Sequence, residues 1–443
     1  MLALVAKKMF DNPWVSFNPL SDFNADPYFI GYYVLGFFVD AIVKWLIEQV
    51  RGKYAKIQFV ARDGYVMKSV YDIYAKYGDE GFPSSGYFYI SRNALMPIMV
   101  DTPDKLLDIM TFDMIGNLTP EGILTSLQPL ISEQAYERRK EICKEHGIAF
   151  NDKFESITEW IGFVEVFGEH FFSEALSEQY HSQMRRTLEE DFPAQSCTFD
   201  IGYSGRTELV LSELLRRPID AFYVYLRKGR AAVSEIQGNF KIHAFFENLP
   251  STVGSMLIET ILSDFGSSCK HLVFNTDGSI KRVFDTTTVN FQTEYVLTII
   301  QNAALDFITD ICTLEKSIGA MEEFSSVEST KPFEYYVCRS KEFDRSLFSA
   351  TAFKNGLFNE SAGLLGMWNL DMGFAQGGTT PCATIALSQI APKWKRYIVF
   401  ALTDRRALKD DIKQSYATHP YFLKLLKVLY CLPRKIYHIF KRG

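Results

Sequence analysis

Ser196-Cys197-Thr198-Phe199-Asp200-Ile201-Gly202-Tyr203-Ser204-Gly205-Arg206-Thr207 is the stretch that decides the fold. Ser196 to Phe199 is a short β-rich run and predicts a buried strand. An acid ends it, a loop of Gly and hydroxyl residues follows, and Glu208 to Arg216 has the composition of a helix. The same order recurs upstream: Lys56-Ile57-Gln58-Phe59-Val60, then Ala61-Arg62-Asp63-Gly64, then Val66 to Tyr77 with apolar residues three and four apart. Tyr87 to Ile90 predicts a further strand ending in Ser91-Arg92-Asn93, and Ala221 to Leu226 another. Strands alternating with helices predict an α/β fold with a mostly parallel sheet, and a ligand site at the carboxyl ends of its strands.

Outward from this core, the first 25 residues read as irregular, and Tyr28 to Val50 predicts a buried amphipathic helix that stops at Arg51-Gly52. Its apolar run, Tyr28 to Val39, contains Gly31 and Gly36 and is too short by itself to cross a bilayer. Helix formers and charges at helical spacing fill residues 103–190, which predicts a large helical insertion. Ser251 to Phe265 reads as a helix, Val273 to Phe284 as a hairpin around Asp277-Gly278, Asn290 to Ile318 as a helix, and Gly373 to Thr380 as a loop. The expected units are residues 1–102 and 191–285 as two parts of one α/β core, the insertion 103–190, a mainly helical region 286–418 within a C-terminal α+β part, and a tail, 419–443.

A chain of 443 residues with 47% hydrophobic and 23% charged side chains can bury a large core. A net charge of −6 argues against nucleic acid as a partner, because broad binding to a phosphate backbone needs a basic surface. The seven cysteines form no CxxC pair and the seven histidines no HxxxH spacing, so a structural zinc site is not expected and the cysteines read as buried apolar residues. No secretory signal pattern opens the chain, which predicts a cytoplasmic protein.

The chemistry is expected at the strand ends. A Gly-rich loop opening a helix presents free backbone N–H groups to an anion, helped by the helix dipole. Gly202 and Gly205 permit a positive φ or a close approach, and Tyr203, Ser204, Arg206 and Thr207 complete that loop, while Asp200 can meet sugar hydroxyls. An ordinary β-α turn with a capping hydroxyl fits the same residues. Arg62, beside Gly64, and Arg92, beside Ser91, can each grip a phosphate pair with a planar fork. The alternative is a structural ion pair, Arg62 with Asp63 or Arg92 with Asp63.

The segments Phe59 to Tyr65, Ser91 to Ala94 and Phe199 to Gly205 together resemble the domain that follows a haloacid-dehalogenase-like domain in bacterial surface-polysaccharide proteins. Phe199 to Thr207 also resembles the phosphoribosyl-diphosphate fingerprint of type I phosphoribosyltransferases, and the resemblance covers residues 28 to about 265. It implies a sheet of Rossmann-like, type I phosphoribosyltransferase character. The activity it implies is transfer of 5-phosphoribose from phosphoribosyl diphosphate to a polysaccharide or lipid-linked glycan acceptor, after which a separate phosphatase leaves ribofuranose. In that reaction Ser204 to Thr207 would hold the 5-phosphate, Asp200 would orient the ribose, and Arg62 and Arg92 would steady the pyrophosphate with Mg²⁺ placed by Asp63. Glu259 and Asp264, on the predicted helix Ser251 to Phe265, are the candidate general bases, beside the reading that both sit on a solvated helix face. The chain departs from the fingerprint in having Phe199-Asp200 where two adjacent acids are usual, and no Asp-x-Asp opens it. A haloacid-dehalogenase-type phosphatase using Asp63 or Asp200 as nucleophile, and a non-catalytic scaffold for polysaccharide assembly, are the competing functions.

Residues 419–443 carry Lys424, Lys427, Arg434, Lys435, Lys441 and Arg442, no acid, and interleaved Phe422, Leu425, Leu426, Leu429, Ile436 and Phe440. This pattern suits the anionic inner face of a bacterial cytoplasmic membrane, each cation contributing about 1 kcal/mol. A helix packed on the protein body fits it too. Deleting 419–443 is expected to abolish co-sedimentation with anionic vesicles at low salt, and intact protein should lose the same binding as salt rises. A truncated chain that still pellets would remove the tail from any membrane role.

Overall fold

A computed structural model describes residues 1–10, 18–109, 118–226, 228–247, 252–266, 268–274, 280–284, 290–319, 324–354, 361–365 and 368. The Gly373 to Thr380 loop and the 419–443 tail lie outside the described residues. Its centre is a five-stranded, all-parallel sheet in the order β2-β1-β3-β4-β5. The strands are β1 (Lys56–Val60), β2 (Ser84–Phe88), β3 (Ser196–Asp200), β4 (Asp220–Tyr225) and β5 (Ile242–Phe246). Lys56 pairs with Ser84 on one side and Ser196 on the other, so β2 and β3 run level with β1. An antiparallel hairpin, β6 (Cys269–Phe274) and β7 (Ile280–Phe284), lies beyond, its tip being outside the described residues.

The helices that position the site are α1 (Pro27–Val50), α2 (Tyr65–Tyr77), α3 (Arg92–Met99), α4 (Glu174–Asp191), α5 (Arg206–Leu215), α6 (Lys228–Gly238), α7 (Thr252–Leu262), α8 (Phe291–Ile318) and α9 (Ser326–Arg339). Between Lys105 and Asp191 the described elements are helices, the last of them α4. One face of the sheet, with Ile57, Phe59, Cys197, Phe199, Phe222 and Val224, packs on α1, α2, α7, α8 and α9. Val60 and Phe88 pack on the opposite side with α3, α4, α5 and the inserted helices.

Several elements differ from the sequence reading. A helix, Leu2–Phe10, stands where an irregular start was expected. β2 begins three residues early, because pairing with β1 carries the polar Ser84-Ser85-Gly86 into the ladder; the aromatic Tyr89 falls beyond it. Ser91-Arg92-Asn93 begins α3 instead of closing a strand: the Ser91 hydroxyl accepts from Ala94 N at 3.1 Å as an N-cap. β5 was not foreseen, and Cys338 is exposed whereas Cys143, Cys197, Cys269 and Cys312 are buried.

α1 starts where Asp26 accepts from the N–H groups of Tyr28 (2.9 Å) and Phe29 (3.4 Å), with Pro27 in the first turn. The whole helix has 24 residues, and it and α8 are the two described helices long and apolar enough to cross a membrane by length and composition. The Tyr28 to Val39 run is therefore only part of a longer helix. Its apolar surface is spent inside the protein: a Cβ on Gly31 would overlap the Ile300 carbonyl, and one on Gly36 would come to 2.6 Å from the Phe307 ring. The two glycines let α1 and α8 cross at close range, with Phe37 stacked on Phe307 at 4.8 Å.

Asp344 closes the N-terminal loop onto α9. Buried completely, it accepts from the Ser21 hydroxyl and from the N–H groups of Asp22 (2.8 Å), Phe23 (3.2 Å) and Ala25 (3.0 Å). Tyr336 on α9 donates to the Asp344 carbonyl at 3.1 Å. Removing the carboxylate strands several buried donors, each worth about 1–3 kcal/mol when left unsatisfied. Asp344→Ala is therefore expected to lower unfolding free energy by about 3 kcal/mol or more, read from the denaturant midpoint. A loss under about 1 kcal/mol would show that water takes over these donors.

Candidate functional site

Parallel strands with the order β2-β1-β3-β4-β5 reverse direction of travel at β1 and β3. From β1 the chain enters α2 on one face, and from β3 it enters α5 on the other. The two loops therefore diverge and leave a crevice at the carboxyl ends of β1 and β3, the position where ligands bind in open α/β sheets. Both strand-end motifs, Ala61 to Gly64 and Asp200 to Thr207, open at this crevice.

On the β1 side, Ala61 N donates to Phe88 O at 3.0 Å and Gly64 N to Val60 O at 2.8 Å, so the loop turns tightly into α2. The Arg62 carbonyl accepts from Asp264 N at 3.0 Å, and Asp63 Oδ1 accepts from the Ser263 hydroxyl at 2.5 Å. The loop after α7 is thereby tied to the β1 loop. Among the described residues the Arg62 guanidinium has no hydrogen bond or ion pair, so the structural Arg62–Asp63 pair is not formed. Arg92 lies in the first turn of α3, and its side chain lies outside the described residues.

On the β3 side, Gly202 has φ +137° and Gly205 φ +73°, values that favour glycine. The close approaches there come from the protein itself: a Cβ on Gly202 would overlap the Tyr225 carbonyl, and one on Gly205 would lie 2.6 Å from Ile242 Cδ1. The Ser204 carbonyl accepts from the Ser234 hydroxyl at 2.7 Å. Beneath the loop sits Glu208, which the sequence reading placed only as the start of a helix. Fully buried, it accepts from Thr198 Oγ1 at 2.8 Å, from the Tyr223 hydroxyl and from its own N–H. Gly205 N–H turns down to Tyr223 as well. Part of the helix N-terminus is thus satisfied internally, as the ordinary-turn reading has it. The hydroxyls of Ser204 and Thr207 make no hydrogen bond among the described residues, and Arg206 is exposed.

Asp200 stands between the two loops. It accepts from Ile201 N at 2.7 Å. Burial pushes its carboxyl well above the usual range, and the negative charges of Asp63, Glu208 and Glu259 push it further. Tyr203 donates to Glu259 on α7, and burial followed by the Glu259 charge holds its phenol well above the usual value. Asp264 is not on the helix predicted for it: α7 ends at Leu262, and Asp264 lies in the following loop, accepting from Gly266 N at 3.2 Å. Neither it nor Glu259 stands on a solvated helix face; both are half-buried.

A cavity of about 360 Å³ adjoins this crevice, lined by Arg62, Asp264, Ser91, Ser268, Tyr87, Tyr89 and Phe284 among others. The Ser91 hydroxyl donates to the Cys269 carbonyl while capping α3, so it fastens the hairpin to the sheet edge. Among the described residues no three His, Cys, Asp or Glu side chains converge as a metal cage. Mg²⁺ commonly needs only one or two carboxylates beside substrate phosphates, and the Asp63 carboxylate, half-buried and free of ion pairs among the described residues, fits that requirement. No model of a known protein family matches the chain, and no curated protein matches it.

The raised Asp200 acid sets a pH signature. The folded state holds its proton above pH 3.8, where the unfolded chain has released it, so stability associated with this group falls as pH rises from that value toward the folded one. Asp200→Asn removes the dependence. In chelator-treated protein the variant is expected to melt higher than wild type near neutral pH, with the gap closing on acidification toward the ordinary carboxylate range. A gap that is constant with pH would mean that Asp200 is ionised in the folded protein.

Proposed function

We propose that the chain is a glycan 5-phosphoribosyltransferase that takes phosphoribosyl diphosphate as donor. The observation carrying this reading is the meeting of Arg62, Asp63 and Asp200 at the reversal of strand order, with Arg62 unpaired among the described residues and facing a cavity. An unpaired, half-buried guanidinium is suited to an anionic leaving group such as pyrophosphate. Asp200 kept protonated can donate a hydrogen bond to the donor's oxygens, where a second carboxylate would repel them. The free hydroxyls of Ser204 and Thr207 support contact with the 5-phosphate. Arg92 would add a second cation. Mg²⁺ would be held by Asp63 and would neutralise the pyrophosphate.

In this reaction an acceptor hydroxyl oxygen forms a bond to the anomeric carbon as the bond from that carbon to pyrophosphate breaks, the electron pair leaving with pyrophosphate. The hydroxyl proton passes to a carboxylate. Asp264 is better placed for that than Glu259, because its backbone is bonded to Arg62 and it lines the cavity, whereas Glu259 is engaged by Tyr203. The acceptor is a polysaccharide or lipid-linked glycan, and release of ribofuranose would fall to a separate phosphatase. The work would take place in the cytoplasm at the inner membrane face.

A phosphatase of the haloacid-dehalogenase type is a second reading, favoured by the closeness of Asp63 and Asp200, since that chemistry needs one carboxylate to attack and another to move protons. Calorimetry of the full chain with phosphoribosyl diphosphate and Mg²⁺, beside a phosphomonoester assay, separates the two. Donor binding is expected for the transferase, and with it a loss of about a hundredfold or more in turnover for Arg62→Ala and Asp200→Asn. Ser204→Ala with Thr207→Val should raise the donor KM more than it lowers kcat. Absence of donor binding, or wild-type turnover in both single variants, would refute the assignment.

A further inference from the structure

We infer that the cavity between the end of β2 and the β6–β7 hairpin is a subsite for one neutral hexopyranose ring, the acceptor sugar. The inference rests on the transferase reading for its role, and on the cavity alone for its ligand.

Three rings stand at its wall. Tyr89 meets Tyr87 at 4.8 Å and 83°, and Phe284 at 6.1 Å and 85°, so the rings form a corner. Tyr89 is 38% and Phe284 41% exposed; the Arg282 guanidinium lies over one side of the Tyr89 ring at 5.6 Å, so the surface left for a ligand is that of Phe284 and the other side of Tyr89. The lining also holds polar groups: Asp264 offers carboxylate oxygen and Ser268 a hydroxyl with no hydrogen bond among the described residues. A pyranose matches this division, since its axial C–H bonds present an apolar, slightly positive face to the negative face of an aromatic ring while its hydroxyls point outward to hydrogen-bonding groups.

Among the described residues Arg62 and Asp264 are the charged side chains lining the cavity, and the Arg282 guanidinium lies over the Tyr89 ring at 5.6 Å. A neutral polyol uses both Arg62 and Asp264, donating to the carboxylate and accepting from the guanidinium. A volume of about 360 Å³ is at the small end for a ligand site, suited to a single ring with the remaining glycan leaving through the opening. Position agrees with chemistry: Arg62 belongs to both the crevice and the cavity, so a hydroxyl of a ring held here faces the donor. Ser91 holds the hairpin strand carrying Cys269 against the end of β2, which fixes the corner of rings.

The test uses the full chain without donor, so that it stands even if donor binding fails. Saturation-transfer NMR is run against a panel of methyl hexopyranosides, with adenosine as a flat-ring control. At least one hexopyranoside is expected to receive saturation on its C–H face, to bind about tenfold more weakly in Tyr89→Ala and in Phe284→Ala, and to be retained in Tyr89→Phe. Each position lies on a separate element and is partly exposed, so either variant carries the test if the other fails to fold by circular dichroism. No saturation of any hexopyranoside, equal saturation in wild type and both alanine variants, or displacement by adenosine at lower concentration would overturn the assignment.

Discussion

Level pairing of β1 with β2 on one side and β3 on the other is the constraint on which the site depends. In a parallel sheet each strand must be followed by a crossover of fixed hand. Placing β1 and β3 side by side while their next strands lie outward therefore sends α2 and α5 to opposite faces. The crevice is a consequence of that divergence and needs no special loop to create it. Arg62, Asp63 and Asp200 become neighbours because their strands do, although more than a hundred residues, the inserted helices among them, separate them in the chain.

That geometry also concentrates acid where an apolar core would ordinarily continue. Asp63, Asp200 and Glu259, with Glu208 just below, face a region of limited water, and the protein answers each differently. Glu208 is surrounded by hydroxyl and amide donors, Glu259 takes a phenol, and Asp63 takes a serine. Asp200 has a single amide and meets its remaining cost by holding a proton. Carboxyls held in such unequal surroundings differ in how readily each gives up a proton, which is what acid and base roles in one site require.

The central strands were legible in the sequence because β1, β3 and β4 are short runs rich in β-branched and aromatic residues that lie between turn residues and are buried almost throughout. Edge strands carry a weaker signal. β2 brings Ser84-Ser85-Gly86 into the ladder and β5 is half-buried along its length, so neither stands out by composition, and the aromatic Tyr89 drew the expected β2 past its real end. Of the site, the strand-end residues Arg62, Asp63, Asp200 and the loop to Thr207 were visible as motifs. The roles of Glu208, Ser263 and Tyr223 were not, because each is defined by a partner on another element: Thr198 and Tyr223 for one, Asp63 for another. The Phe284 wall had no linear signature for the same reason. Asp264 was found as a residue and misplaced as a helical one, since helix composition runs past Leu262 without a strong stop.

The crossing of α1 and α8 through Gly31 and Gly36 has a consequence for how the protein is made. Ile300 and Phe307, which cover the two glycines, lie more than half the chain downstream of them. On a ribosome working at about 5–20 residues per second, α1 emerges long before α8 exists to receive it, leaving its Gly31 and Gly36 face uncovered for roughly 15–50 s. The nascent chain therefore passes through a stage in which the glycine face of α1 has no native partner.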